Sequence, residues 1–176
     1  MSDYCSPERI ETALRRVLTF KGLHDPRWAV VIPVVCGGNA PEVLLEVRAE
    51  GISQSGDPCY PGGRIEAGES PLQAALREVE EELGLRIDPA RVCGQLPTVG
   101  TPLGSRTDIF VCTVAPADAD SICANPAEVE EVLRLPLEKF LSEPRAGSWS
   151  AGRHVIWGMT AGALRHLCEA WRAAGL

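Results

Sequence analysis

Four glutamates, Glu78, Glu80, Glu81 and Glu82, crowd the run REVEEELGL at residues 77–85. The apolar spacing around them predicts that they occupy the last turns of a helix. A helix C-terminus carries partial negative charge and favours Lys or Arg, each such contact being worth about 0.3–1 kcal/mol. Like charges four residues apart, as with Glu78 and Glu82, cost a few tenths more. A helix selected only for stability would not place four carboxylates there. Glu78, Glu81 and Glu82 stand at i, i+3 and i+4, so their carboxylates are expected to converge on one patch, with Glu80 turned away into solvent. Converging carboxylates suit a hard divalent cation such as Mg²⁺, which also accepts phosphate oxygens. The competing reading is an acidic solvated face, which the dipole penalty disfavours.

The helix that must position these groups has its own signals. Ser70-Pro71-Leu72-Gln73 reads as a capping box with proline at the first helical position. Leu72, Leu76, Val79 and Leu83 define a buried stripe, and Gly84-Leu85 supplies a left-handed cap with its apolar contact. Upstream, Ser6-Pro7-Glu8 opens a helix to about Leu18. Ala29–Val35 (AVVIPVV) reads as a buried strand, hairpinned through Gly37–Pro41 to a second strand at Val43–Arg48. A loop, Gly51–Gly63, leads to the acidic helix.

Beyond that helix, Val92–Leu96 and Asp108–Val114 read as strands, Ala115–Pro126 as loop, Val132–Leu135 as a short strand and Leu137–Leu141 as a helical turn. Residues Val155–Ala173 read as a final helix stopped near Gly175. Strands and helices mix without regular alternation, so the expected class is α+β, a layered α/β/α arrangement with a mixed sheet between helices.

At 176 residues with 45% hydrophobic content, the chain fits a single domain, 1–176, with a sizeable core. A net charge of −7 argues against broad binding to nucleic acid backbones. No apolar run approaches the roughly 18 residues of a membrane span. The opening MSDYCSPERIETALRR has none of the apolar character of a signal peptide, so a cytoplasmic setting is expected. Seven irregularly spaced cysteines, without a C-x-x-C pair, suit neither a disulfide framework nor a zinc site and read as reduced apolar fillers. His24, His154 and His166 are isolated and read as surface or satisfied residues. Trp149 and Trp157 read as core, with stacking on a base as the alternative.

The segment Gly63-x5-Glu69-x7-Arg77-Glu78-Val79-x-Glu81-Glu82-x-Gly84-Leu85 matches the Nudix box at every position, and the chain resembles the Nudix hydrolase family. The resemblance implies that Glu78 and Glu82 hold Mg²⁺ or Mn²⁺, with Glu81 as a further ligand or a base and Gly63 lending its carbonyl. It also implies that Arg77 orients the glutamates, Glu69 fixes the preceding loop, and the reaction is hydrolysis of X–P–O–P–Y. Many Nudix enzymes carry a further glutamate on a mobile loop, and among Glu128, Glu130 and Glu131 the preferred base is Glu128. A solvated acidic loop is the competing reading. A homodimer is implied as well.

Beyond the box, AVVIPVV, LLEVR with Gly56 and YPGG (60–63), EVEEVLRLPL (128–137) and WGMTAGALRHL (157–167) resemble the coenzyme A diphosphatase branch. That branch carries L-L-T-x-R-S-x3-R-x3-G-x3-F-P-G-G before the box. Leu44, Leu45, Arg48, Gly56 and Pro61–Gly63 agree, and Tyr60 replaces Phe. Glu46 replaces Thr, Ala49 replaces Ser, and Ile52 or Ser53 stands where a second Arg is expected. Arg48, Tyr60, Gly62 and Arg106 are the expected substrate contacts. The leading substrate is coenzyme A or an acyl-CoA. ADP-ribose, NADH-like dinucleotides and non-canonical nucleotides remain alternatives, as does a non-catalytic nucleotide-binding module.

Overall fold

The computed structural model describes residues 5–21, 26–97, 107–142 and 147–176. Helix α1 (Pro7–Val17) starts where Ser6 Oγ accepts from the Arg9 amide. Strands β1 (Trp28–Val35) and β2 (Glu42–Arg48) follow, then two short strands, β3 (Pro58–Cys59) and β4 (Gly62–Arg64). Helix α2 (Pro71–Leu83) carries the acidic run, and β5 (Val92–Leu96) and β6 (Thr107–Val114) follow it. The rest comprises α3 (Pro116–Asp120), β7 (Val129–Pro136), α4 (Leu137–Ser142), a hairpin of β8 (Trp149–Ala151) and β9 (His154–Ile156), and α5 (Gly158–Ala173).

The sheet is mixed. β1 runs parallel to β6 along its whole length and antiparallel to β2 only at Val34–Val43 and Val35–Glu42. At the other end of β1, Trp28, Ala29 and Val30 pair with Arg64, Gly63 and Gly62 of β4. β7 pairs with β2 from Glu42 to Arg48, while β3 pairs with Glu46 and Val47. Because β7 occupies one edge of β2 throughout, β1 and β3 must share the other. The first two long strands therefore splay apart, and residues 58–64 fill the wedge between them.

Helices cover both faces. On one, Ile10, Leu14, Phe140, Leu164, Leu167 and Trp171 pack against Ile32, Val43 and Leu45. On the other, Ala74, Ala75, Val79 and Leu83 of α2 pack against Val31, Leu44 and Phe110. The α/β/α layering expected from the sequence is thus present.

Three local expectations need correction. Within 115–126, expected as loop, Pro116 opens the five-residue α3, which buries Ala119. β7 begins at Val129 rather than Val132, because pairing with β2 sets Glu131 opposite Val47 and Val129 opposite Arg48, with Glu130 at the irregularity between them. Val155 and Ile156 belong to β9 rather than to the last helix. Gly152, at φ 63, turns that strand back on β8. Most of the loop joining β5 and β6 lies outside the described residues.

Candidate active site

Helix α2 begins and ends as its sequence dictates. Ser70 Oγ accepts from Gln73 N at 3.3 Å and Gln73 Oε1 accepts from Ser70 N at 2.9 Å. Gly84 closes the helix at φ 64, and Leu85 beside it is buried. The last carbonyls are not left to solvent. Cys123 N donates to Leu83 O at 3.0 Å and Asn125 N to Glu82 O at 2.7 Å. The segment leading to Glu128 is therefore pinned to the acidic end of α2.

Beneath the helix passes the glycine pair of β4. A side chain on Gly62 would come within 2.5 Å of Val30 Cα, and one on Gly63 would sit 2.1 Å from Glu78 Oε1. Only a bare backbone fits, so the carboxylate of Glu78 lies directly on the Gly63 main chain. The Gly62 amide donates to Glu82 Oε2 at 2.9 Å.

Arg77 organises the outer side. Its Nε and Nη2 grip both oxygens of Glu69 at 2.8 and 3.1 Å, and its Nη1 reaches Glu78 Oε1 at 3.0 Å and Glu81 Oε2 at 2.9 Å. Nη2 also donates to the Arg64 carbonyl at 3.2 Å. These charge-assisted bonds tie the loop before α2 to the helix. The Arg77 hydrogen bonds hold the Glu69 carboxyl below the usual range.

Burial works the other way on the inner carboxylates. Desolvation pushes Glu78 and, more strongly, Glu82 above the ordinary carboxylate range. The second cause acting on Glu82 is the charge of Glu46, which β2 delivers from the sheet side. Glu46 is itself raised by burial, and the charges of Glu128 and Glu78 raise it further. Glu128 reaches this neighbourhood because its carbonyl accepts from Ala49 N at 2.9 Å and its Oε1 from Asn125 Nδ2 at 3.1 Å.

The convergence of Glu78, Glu81 and Glu82 expected from helical spacing is therefore only partial. Glu81 is drawn outward by Arg77 and its side chain is 54% exposed, whereas Glu82 turns inward against Gly62. Among the described residues, no three His, Cys, Asp or Glu side chains stand close enough together to hold an ion as they are. The donor set still fits a hard divalent ion in its chemistry. It consists of carboxylate groups, of which Glu82 and Glu46 are buried and Glu78 half-buried, and Glu46 Oε2 has no hydrogen-bond partner. Buried carboxylates without a paired cation are costly, and an ion would offset that cost.

Of the expected substrate contacts, Gly62 lies at the site. Arg48 is near it, its Nε bonded to Ser53 O at 2.7 Å beside a pocket of about 100 Å³ that Asp57, Cys59 and Trp157 help to line. Tyr60 needs correction. Odd–even alternation through the wedge turns its ring to the opposite face, where it is 3% exposed in the cluster containing Leu164 and Trp171. It supports the segment from behind, on the face of the sheet away from α2. Arg106 and His24 lie outside the described residues. Trp149 is core, stacked edge-on against Phe140 with ring centroids 5.7 Å apart. Trp157 is 51% exposed and donates to Asp57 Oδ1 at 3.2 Å. The seven cysteines are all free.

A glycine strand under a capped acidic helix, on a mixed sheet between helical layers, is the arrangement of a Nudix domain. Residues 25–156 match the NUDIX domain family, and the chain belongs to the Nudix hydrolases. It is 30% identical over 151 residues to the human mitochondrial coenzyme A diphosphatase NUDT8, covering 76% of this chain but 64% of that protein's length. It is 31% identical over 159 residues to the uncharacterized Nudix hydrolase NudL of Yersinia pestis (strain Pestoides F), covering 81% of this chain and 78% of that one. Among solved structures it is similar to a MutT/nudix family protein from Enterococcus faecalis, with a TM-score of 0.61 at 17% identity, over 85% of this chain and 64% of that one.

Proposed function

We propose that the chain, as a single unit spanning residues 1–176, is a divalent-metal-dependent diphosphatase acting on coenzyme A or an acyl-CoA. Its products would be 3′,5′-ADP and 4′-phosphopantetheine. The observation that carries the reading is the contact of half-buried Glu78 and buried Glu82 with the Gly62–Gly63 backbone under α2. The substrate class is supported by the human relative, whose name is that of a coenzyme A diphosphatase, and by Arg48, Gly56 and Pro61–Gly63 in their expected order.

Glu78 and Glu82 would hold Mg²⁺ or Mn²⁺, with the Gly63 carbonyl and Glu81 as further donors. When bound, the ion supplies positive charge that neutralises phosphate oxygens and polarises P–O bonds. Arg77 fixes the directions of Glu78 and Glu81, and Glu69 fixes Arg77. Glu128 accepts a proton from the attacking water, which adds to phosphorus as the bridging P–O bond breaks. Arg48 meets the anionic end of the substrate. Positioning and electrostatics carry such a reaction, with no covalent enzyme group required. The cytoplasmic setting and a homodimer belong to the same proposal. Among the described residues, no helix is long and apolar enough to cross a membrane.

A second reading is favoured by Ile52 and Ser53, which stand where the coenzyme A motif has an arginine: the substrate would then be ADP-ribose or a dinucleotide. Incubation of coenzyme A, an acyl-CoA, ADP-ribose, NADH and nucleoside triphosphates with Mg²⁺ or Mn²⁺ separates the two. Release of 3′,5′-ADP from coenzyme A is expected, and equal or faster cleavage of ADP-ribose would overturn the assignment. Ligand binding without any product would identify a non-catalytic module instead.

A further inference from the structure

Glu46 has no part in the mechanism above, yet its place in the fold is specific. Along β2, Val43 and Leu45 enter the cluster behind the sheet and Leu44 the cluster under α2. Alternation therefore puts Glu46 on the α2 face, in register with Cys59 of β3 on one side and Val132 of β7 on the other. It is 1% exposed. Cys59 Sγ, a weak donor, gives one bond to Oε1 at 3.4 Å, and Oε2 has none. The charges of Glu128 and Glu78 raise it, against the lowering charge of Arg48. A strand interior flanked by valine and leucine accepts such a group only at a cost, because a buried carboxylate oxygen without a partner loses its hydration and gains nothing in return.

We propose that Glu46 is a further carboxylate ligand of the divalent ion held by Glu78 and Glu82, so that the sheet as well as α2 contributes to the metal centre. The inference rests on the metal-dependent reading of this site. It explains why a carboxylate occupies a strand position that is otherwise apolar, and why one of its oxygens lacks a protein donor.

The test is direct Mn²⁺ binding, by calorimetry or by electron paramagnetic resonance of the free ion, to the wild type, E46Q, E82Q and E80Q. E80Q removes the same charge from an exposed position on the same helix. E46Q and E82Q are expected to weaken Mn²⁺ binding about tenfold or more, whereas E80Q stays within about twofold because its charge is solvent-screened. If the wild type binds Mn²⁺, E82Q loses it and E46Q does not, the metal site survives and the role of Glu46 is overturned. If the wild type binds no Mn²⁺, both fall. Should E46Q fail to fold, the anomalous signal of Mn²⁺ in wild-type crystals decides. A Glu46 oxygen at roughly 2.0–2.6 Å from the peak supports the inference, and one outside that shell ends it.

Discussion

Glu130 and Glu131 on β7 form one acidic region, and Glu46 and Glu82 between β2 and α2 form another, but their surroundings differ. On β7, Arg153 Nη2 lies 3.0 Å from Glu130 and 2.9 Å from Glu131, and His154 Nε2 lies 3.1 Å from Glu131. All the carboxylates there are substantially exposed, and the hydrogen bond with His154, then that from Arg153, holds Glu131 below the usual carboxylate range. Glu46 and Glu82 are 1% and 4% exposed, and the charge of Glu46 raises Glu82. The first region is paired with a neighbouring arginine and sits in water. The second concentrates charge where the hydrogen bonds come from one backbone amide and one thiol, with the Arg48 charge acting on Glu46 alone. A locally compensated cluster gains little from a ligand, whereas a buried one with so few partners suits the cation proposed for it.

The contrast can be broken or sharpened by experiment. Glu82→Gln is expected to reduce coenzyme A hydrolysis by at least about a hundredfold while circular dichroism stays native; full activity in a folded variant would remove the basis for the assignment. Arg77→Lys cannot grip Glu69 with two nitrogens while reaching Glu78 and Glu81, so a loss of roughly 10–100-fold in kcat/KM is expected. A smaller effect should appear in thermal denaturation of the metal-free protein. Glu46 and Glu82 have folded-state pKa values above their unfolded ones, so their contribution to stability is fullest below about pH 4.3 and is lost as pH rises through the raised values. The metal-free Tm should fall over that rise, and Mn²⁺ should restore it; a flat profile would mean that the pair is not as buried as it looks. The smallest effect belongs to the compensated region. Arg153→Ala should cost about 0.2–1 kcal/mol, a Tm change of roughly 4 °C at most, and leave turnover unchanged.

Much of the site could be read in the chain because α2 carries local signals at both ends and a charge pattern that conflicts with its own dipole. Both caps lie where Ser70 and Gly84 put them; of the expected stripe Val79 and Leu83 are buried and Leu72 and Leu76 partly so, while Ala74 and Ala75 carry the rest of the buried face. Glu46 went unused although a signal was present: a carboxylate inside VLLEVR, one position past a buried alternation, is out of place in a strand covered on both faces. The role of Tyr60 depended on which face of the sheet the short segment between β3 and β4 turned it to, and a motif alone does not specify this. The start of β7 and the β8–β9 hairpin escaped because pairing partners distant in sequence, rather than local propensity, create them.

Asn125 N spans from the approach to Glu128 to the carbonyl of Glu82 itself. Any swing of residues 123–128 must break that bond and its companion at Leu83, baring two peptide oxygens at the negative pole of α2. Amide hydrogen exchange at Asn125 should therefore report on the glutamate proposed to grip the ion, slowing on addition of Mn²⁺, although its bond is to the Glu82 carbonyl and not to the carboxylate.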